Sequence, residues 1–254
     1  MFIFNIELAS KMQSTEGDNK ENRATFSNAF EHFLEAFLGT VDEYAVRQAF
    51  TIRTLLALTN EEKEKAAEIL VAELKKGNYN IRILMGIQEL KPTDALVPLK
   101  KILKEKSIKH SPNVLIQIAL ALWFIEGYKE SFDLIAGVLK KPSAETVMLS
   151  QDSQKMREQN NCIEAMAALR FFRCQKTIKV LTECMLSDNK FIRGQAMRYA
   201  LYTSNIITDL ISYHPMQALA FAADIPSVRK LVIQQFDNLK VSASPLPVEP
   251  EFEM

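Results

Sequence analysis

The side chains best able to do chemistry are thinly spread along this 254-residue chain. Three cysteines, Cys162, Cys174 and Cys184, are separated by eleven and nine intervening residues in apolar surroundings. Zinc ligands usually come in pairs about two to four residues apart. The observed spacing therefore points to reduced core thiols of a cytoplasmic protein and to no metal. His32, His110 and His214 are isolated from one another, and none is followed by Glu. There is no Gly-Lys-Ser/Thr phosphate loop and no Gly-x-Ser-x-Gly nucleophile elbow. With only 7 glycines in the chain, a glycine-rich nucleotide cradle has little to be built from. No catalytic residue and no cofactor is expected.

What remains is charge. The 31 Lys and Arg balance the 31 Asp and Glu, which excludes a general nucleic-acid binder. The balance is not local. Residues 1 to 43 hold eight acids and three bases, whereas residues 91 to 109 hold six Lys against Asp94 and Glu105. Residues 170 to 198 add Arg170, Arg173, Lys176, Lys179, Lys190, Arg193 and Arg198 against Glu183 and Asp188. Lys100, Lys101 and Lys104 read as the solvated face of an outer helix. Arg170, Arg173 and Arg198 fall on expected inner helices and are the candidate partner-binding residues, suited to steering an acidic protein in preference to a nucleic acid.

The elements that must position these residues are helices. Apolar residues recur at helical spacing almost throughout, and strand-like alternation is nearly absent. The blocks predict helices over 25–38, 43–58, 61–76, 79–90, 94–106, 112–126, 129–141, 158–173, 175–186, 190–203, 205–213, 215–223 and 227–240, joined by short connections. The block from Val114 to Ile125, which includes the single Trp, Trp123, is apolar almost all round and should be covered on both sides. No stretch reaches the ~20 apolar residues of a membrane span. Met1 to Leu8 lacks a basic leader, so no secretory signal is expected.

Alternate helices start alike. Asp42 to Arg47, Asp188 to Arg193 and Asp224 to Arg229 share the pattern Asp-x-x-x-Val/Ile-Arg, and Ile81-Arg82 keeps the apolar-Arg pair without the Asp. The anchors Val46, Ile81, Val114, Cys162, Ile192 and Val228 are 35, 33, 48, 30 and 36 residues apart. Two helices per period of this size indicate an α-solenoid. The Asp should cap the coming helix and, five residues on, face the Arg in a charge-assisted hydrogen bond. Asp42, Arg47, Arg82, Asp188, Arg193, Asp224 and Arg229 are thus expected to form a structural ladder rather than a binding site.

The tract from Asp188 to Leu201 resembles the inner half of a HEAT or HEAT-like repeat, and Asp94 to Leu103, with Pro98 near its start, is similar to the outer half. The resemblance covers roughly residues 25 to 240. It implies an all-α, right-handed α-α superhelix of about six helical hairpins, an architecture shared by scaffolds, transport receptors, lyases and a few enzymes. The His-Glu dyads of the HEAT-like iron hydroxylases are missing. The HEAT-like DNA glycosylases look like basic proteins with aromatic-lined concave faces, and the HEAT-like bilin lyases have no sharp local signature. Either activity is the alternative to a non-enzymatic protein-binding scaffold, the function expected here.

Three segments depart from the repeat. Residues 142 to 157 form an insertion that accounts for the 48-residue spacing, either a docking element or a tolerated surface loop. Residues 1 to 24 join an apolar start to a polar tract and should be partly flexible. Residues 241 to 254, with three prolines and three glutamates, should be a disordered tail.

Overall fold

A computed structural model describes residues 27–39, 48–104, 111–139, 153–208, 210, 214–222 and 224–236. Among them are twelve α-helices, one 3-10 turn and no strand, so the described chain is all-α. Asp42, Arg47, His110, the segment 1–24, the tail 241–254 and the insertion as far as residue 152 lie outside the described residues.

The chain divides between Pro98 and Leu99 into two compact units. The first contains α1 (Asn28–Leu38), α2 (Gln48–Leu56), α3 (Asn60–Lys75) and α4 (Ile81–Leu90), followed by the 3-10 turn Thr93–Ala95. In it α1 packs on α2, α2 on α4, and α3 on α4. The division falls inside α5 (Leu96–Lys104). The second unit contains α6 (Pro112–Glu126), α7 (Ser131–Leu139), α8 (Ser153–Leu169), α9 (Gln175–Cys184), α10 (Lys190–Thr203), α11 (Pro215–Ala222) and α12 (Ile225–Gln235). Here α6 packs on α8 and α8 on α10, making a row of alternate helices. Each of α7, α9 and α11 packs against a member of that row.

Short polar residues set the helix starts by accepting the first free backbone amides. Ser27 accepts from Phe30 at the head of α1, Asn80 from Ile83 at α4, Ser111 from Val114 at α6, and Asn189 from Phe191 and Ile192 at α10. Thr59 and Glu62 form a reciprocal capping box on α3. Glycine is needed after α6, where Gly127 has φ 68° and its amide reaches the Trp123 carbonyl.

The core follows the apolar pattern. Ile118, Ala119, Leu120, Ala121 and Leu122 are buried in succession, so α6 is covered on every face along this stretch. On α12 the stripe Val228, Val232 and Phe236 is buried while Arg229, Lys230, Gln234 and Gln235 are exposed.

Three element boundaries differ from expectation. Helix α8 begins at Ser153, five residues before its predicted start, so the end of the predicted insertion is helical. Those residues carry no apolar stripe, and periodicity alone cannot detect them. Helix α8 also stops at Leu169 rather than at 173. There the amides of Phe171 and Phe172 close back on Ala168 and Leu169 in tight turns. No helix occupies the described part of 205–213. Asn205 takes the left-handed conformation with φ 57°, and the Ile206 amide returns to the Leu201 carbonyl, which ends α10. The apolar pair that follows looked helical because Ile207 folds back into the core.

Candidate functional site

The recurrent arginines divide by environment. Arg82 on α4 donates to the carbonyls of Ala36, at 2.9 Å, and Gly39, at 3.1 Å, at the C-terminal end of α1. Arg193 on α10 is buried and donates from Nε to the Ala220 carbonyl near the end of α11, at 3.1 Å. Its Nη1 donates to the carbonyls of Ser187, at 2.9 Å, and Asp188, at 3.1 Å. Both guanidinium groups meet the free, partly negative carbonyls of a helix end. Arg82 reaches back along the chain and Arg193 reaches forward, so the two are not translated copies of one contact.

The expected capping by Asp188 is corrected. Asn189 caps α10, and what Arg193 takes from Asp188 is its main-chain carbonyl. The aspartate is one residue too early, because the chain enters the helix at Lys190. Asp224 does cap α12, accepting from the Ser227 amide at 2.7 Å. Hydrogen bonds from Ser227 hold its carboxyl below the usual aspartate range. Arg229, five residues on, is exposed.

Arg170, Arg173 and Arg198 are brought together, although not on helices alone. The early stop of α8 places Arg170 and Arg173 in the turn leading to α9, while Arg198 lies on α10. The turn is anchored by its two phenylalanines. Phe172 is buried against Trp123, with ring centres 4.6 Å apart, and against Phe132 at 5.6 Å. Phe171 meets Phe124 edge-on at 5.1 Å. The Thr177 hydroxyl donates to the Phe172 carbonyl and ties the turn to the first residues of α9.

Aromatic rings flank the guanidinium groups. Arg170 lies over the Phe171 ring at 4.7 Å and Arg173 over the Tyr202 ring at 5.4 Å. Burial lowers the Arg170 pKa from the ordinary arginine value; Tyr199 and Tyr202 act against this and the Arg198 charge adds to it. Tyr199 is buried, which raises its phenol pKa, while Arg170 and Arg198 pull it down. Arg170, Arg198, Tyr199 and Tyr202 thus share one electrostatic neighbourhood. Among the described residues, no carboxylate forms an ion pair with any of the three arginines. The Nε atoms of Arg173 and Arg198 are buried without a hydrogen-bond acceptor, as is the Trp123 indole nitrogen. Nearby Lys176 differs, since it pairs with Asp133 at 2.7 Å.

The aromatic frame of this cluster was not singled out from sequence. Trp123 reads there as core and is half-buried in the fold. The Phe171-Phe172 dipeptide between two arginines was the available signal.

The other polar candidates hold no chemistry of this kind. Burial pushes the Cys184 thiol up to about 12, with Cys162 and Glu183 adding to it, and burial also raises Cys162. Protonated thiols are poor nucleophiles and poor metal ligands. Among the described residues, no three His, Cys, Asp or Glu side chains gather as a metal site. His32 is exposed on α1, and His214 accepts the Met216 amide through Nδ1 at 3.2 Å. In the first unit an open groove of about 740 Å³ is lined by residues that include Leu55, Leu56, Lys63, Glu64, Val71 and Asp94. Its charges are of both signs. Among the described residues, no helix is long and apolar enough to cross a membrane. No family model, no curated protein and no solved structure matches this chain.

Proposed function

We propose that the protein is a non-enzymatic interaction scaffold that binds an acidic protein partner through Arg170, Arg173 and Arg198. The observation that carries this reading is the gathering of three half-buried arginines with no carboxylate paired to them among the described residues. Such a group keeps its attraction for an outside anion. The aromatic neighbours supply the apolar contact area that protein interfaces use beside arginine.

The repeat reading belongs to the same proposal. A right-handed solenoid of about six HEAT-like hairpins would present α6, α8 and α10 as successive inner helices of a concave face. The side-by-side packing of these alternate helices supports it.

The test is the double variant Arg170→Glu with Arg173→Glu. Capture of partners from a native lysate by the wild-type chain should be lost in the variant, whose circular dichroism should be unchanged. A partner bound equally well by both proteins would remove this face from the proposal. Turnover of a nucleobase or tetrapyrrole substrate with no partner recovered would overturn the non-enzymatic reading.

A further inference from the structure

We propose that the cluster of Arg170, Arg173 and Arg198 is a subsite for a phosphate monoester, presented as a phosphorylated side chain of the partner. The inference rests on the protein-binding role proposed above and specifies what the partner carries.

Three features lead to it. The first is the number of forks at one place. A planar carboxylate has two oxygens and is satisfied by a single guanidinium in bidentate contact. A phosphoryl group has three acceptor oxygens around one centre and can serve several guanidinium groups together. The second is charge. Arg170 and Arg198 are close enough to act on each other electrostatically, and like charges in a partly buried site repel. A phosphate monoester carries about −1.5 to −2 charges at neutral pH and offsets that repulsion more fully than one carboxylate does. The third is the orphaned donors. The Nε atoms of Arg173 and Arg198 are buried with no acceptor. With no acceptor for these atoms inside the described chain, no internal hydrogen bond competes with an incoming anion for the two guanidinium groups.

The geometry favours a single compact anion over a nucleic-acid strand. A strand needs a track of cations matching its successive phosphates. Here Arg170 and Arg173 lie over aromatic rings, Lys176 has Asp133 beside it, and the whole chain has no net charge.

The experiment uses the full chain and immobilised peptide libraries with a central phosphoserine, phosphothreonine or phosphotyrosine. Matched libraries carry the unmodified residue or glutamate at the same position. Retention on at least one phosphorylated library should exceed that on the matched controls by about tenfold or more, and should rise as pH increases through about 6, where the second phosphate proton leaves. Arg173→Lys and Arg198→Lys keep the charge but remove the fork, and each should lower that retention about tenfold with an unchanged melting temperature. Should either variant melt early, Arg170→Lys provides the same comparison at a third guanidinium group.

Equal retention on the glutamate and phosphorylated libraries would overturn the phosphate assignment and leave the acidic-partner reading intact. Inorganic phosphate alone raising the melting temperature as much as the phosphopeptides would assign the site to a free anion. Salt-sensitive binding of random duplex DNA at the same arginines would assign it to a nucleic-acid backbone. No retention on any library, with lysate partners still lost in the Arg170→Glu and Arg173→Glu variant, would also overturn the phosphate assignment alone. Partners insensitive to that variant would overturn both readings.

Discussion

Single arginines at equivalent sequence positions do different work here, and burial decides which. Arg193 is buried and donates to three carbonyls, while Arg229 is exposed on the last described helix. A hydrogen bond involving a charged group contributes about 1.5–3 kcal/mol, and such bonds do not add simply. Arg193→Ala should therefore lower stability by about 3 kcal/mol in urea denaturation. Arg229→Ala should stay within about 0.5 kcal/mol of the wild type. Similar losses for both would contradict the assignment of Arg193 to helix-end carbonyls. In the Asp-x-x-x-Val/Ile-Arg tract ending at Arg193, the acceptors are main-chain carbonyls, where spacing suggests the Asp188 carboxylate. Side-chain pairing can be guessed from spacing, whereas carbonyls offered by a distant helix end cannot.

Glu62 makes a second prediction at this scale. Its carboxylate is held down to about 2 by hydrogen bonds from the Ser27 hydroxyl, then from the Thr59 and Ser27 amides. The amide contacts are 2.9 Å from Ser27 and 3.0 Å from Thr59. In the unfolded chain the same group protonates near its ordinary value of 4.5. Its contribution is therefore complete above that value and is lost as pH falls toward about 2. Between pH of about 5 and 2.5 the wild-type melting temperature should fall more steeply than that of Glu62→Gln. Parallel curves would show that these bonds do not distinguish the ionised carboxylate.

At the scale of elements, close approach is set by small residues at chosen positions. A methyl group added at Gly86 on α4 would stand 2.6 Å from Leu70 Cδ1 and 2.7 Å from Phe37 Cε1. Both partners are fully buried and have little room to yield. Alanine gains about 1 kcal/mol of helix propensity over glycine. Overpacking costs about 1–3 kcal/mol. Gly86→Ala should be neutral to mildly destabilising, and Gly86→Val, which adds bulk without the full propensity gain, should be destabilising by more. A Gly86→Val chain as stable as wild type would mean that α1, α3 and α4 are less tightly packed than described. Several helices could be read closely from periodicity and caps; 112–126 and 190–203 coincide with α6 and α10. The failures came where the apolar pattern and the backbone part company. After Asn205, in the left-handed conformation, an apolar run continues without a helix, and at Ser153 a helix begins on residues whose sequence has no apolar periodicity.

At the scale of the whole molecule, the zero formal charge conceals a local surplus whose strength depends on which cations are already paired. From sequence, Arg170, Arg173 and Arg198 stand out of the basic stretch 170–198 only as residues of expected inner helices. Sequence could not tell that Lys176 is paired, that Arg170 and Arg173 sit on a turn, or that Phe171, Phe172, Tyr199 and Tyr202 frame them. Those facts depend on helices separated in the chain. An interaction guided by this group should weaken as salt is raised from about 0.05 to 0.3 M, since screening shortens its reach. The most direct measurement compares partner capture from one native lysate by the wild-type chain and by Arg170→Glu with Arg173→Glu, quantified by mass spectrometry after both are shown to be folded. The account predicts at least a tenfold loss of the captured partner in the variant. Undiminished capture by a folded variant would contradict it.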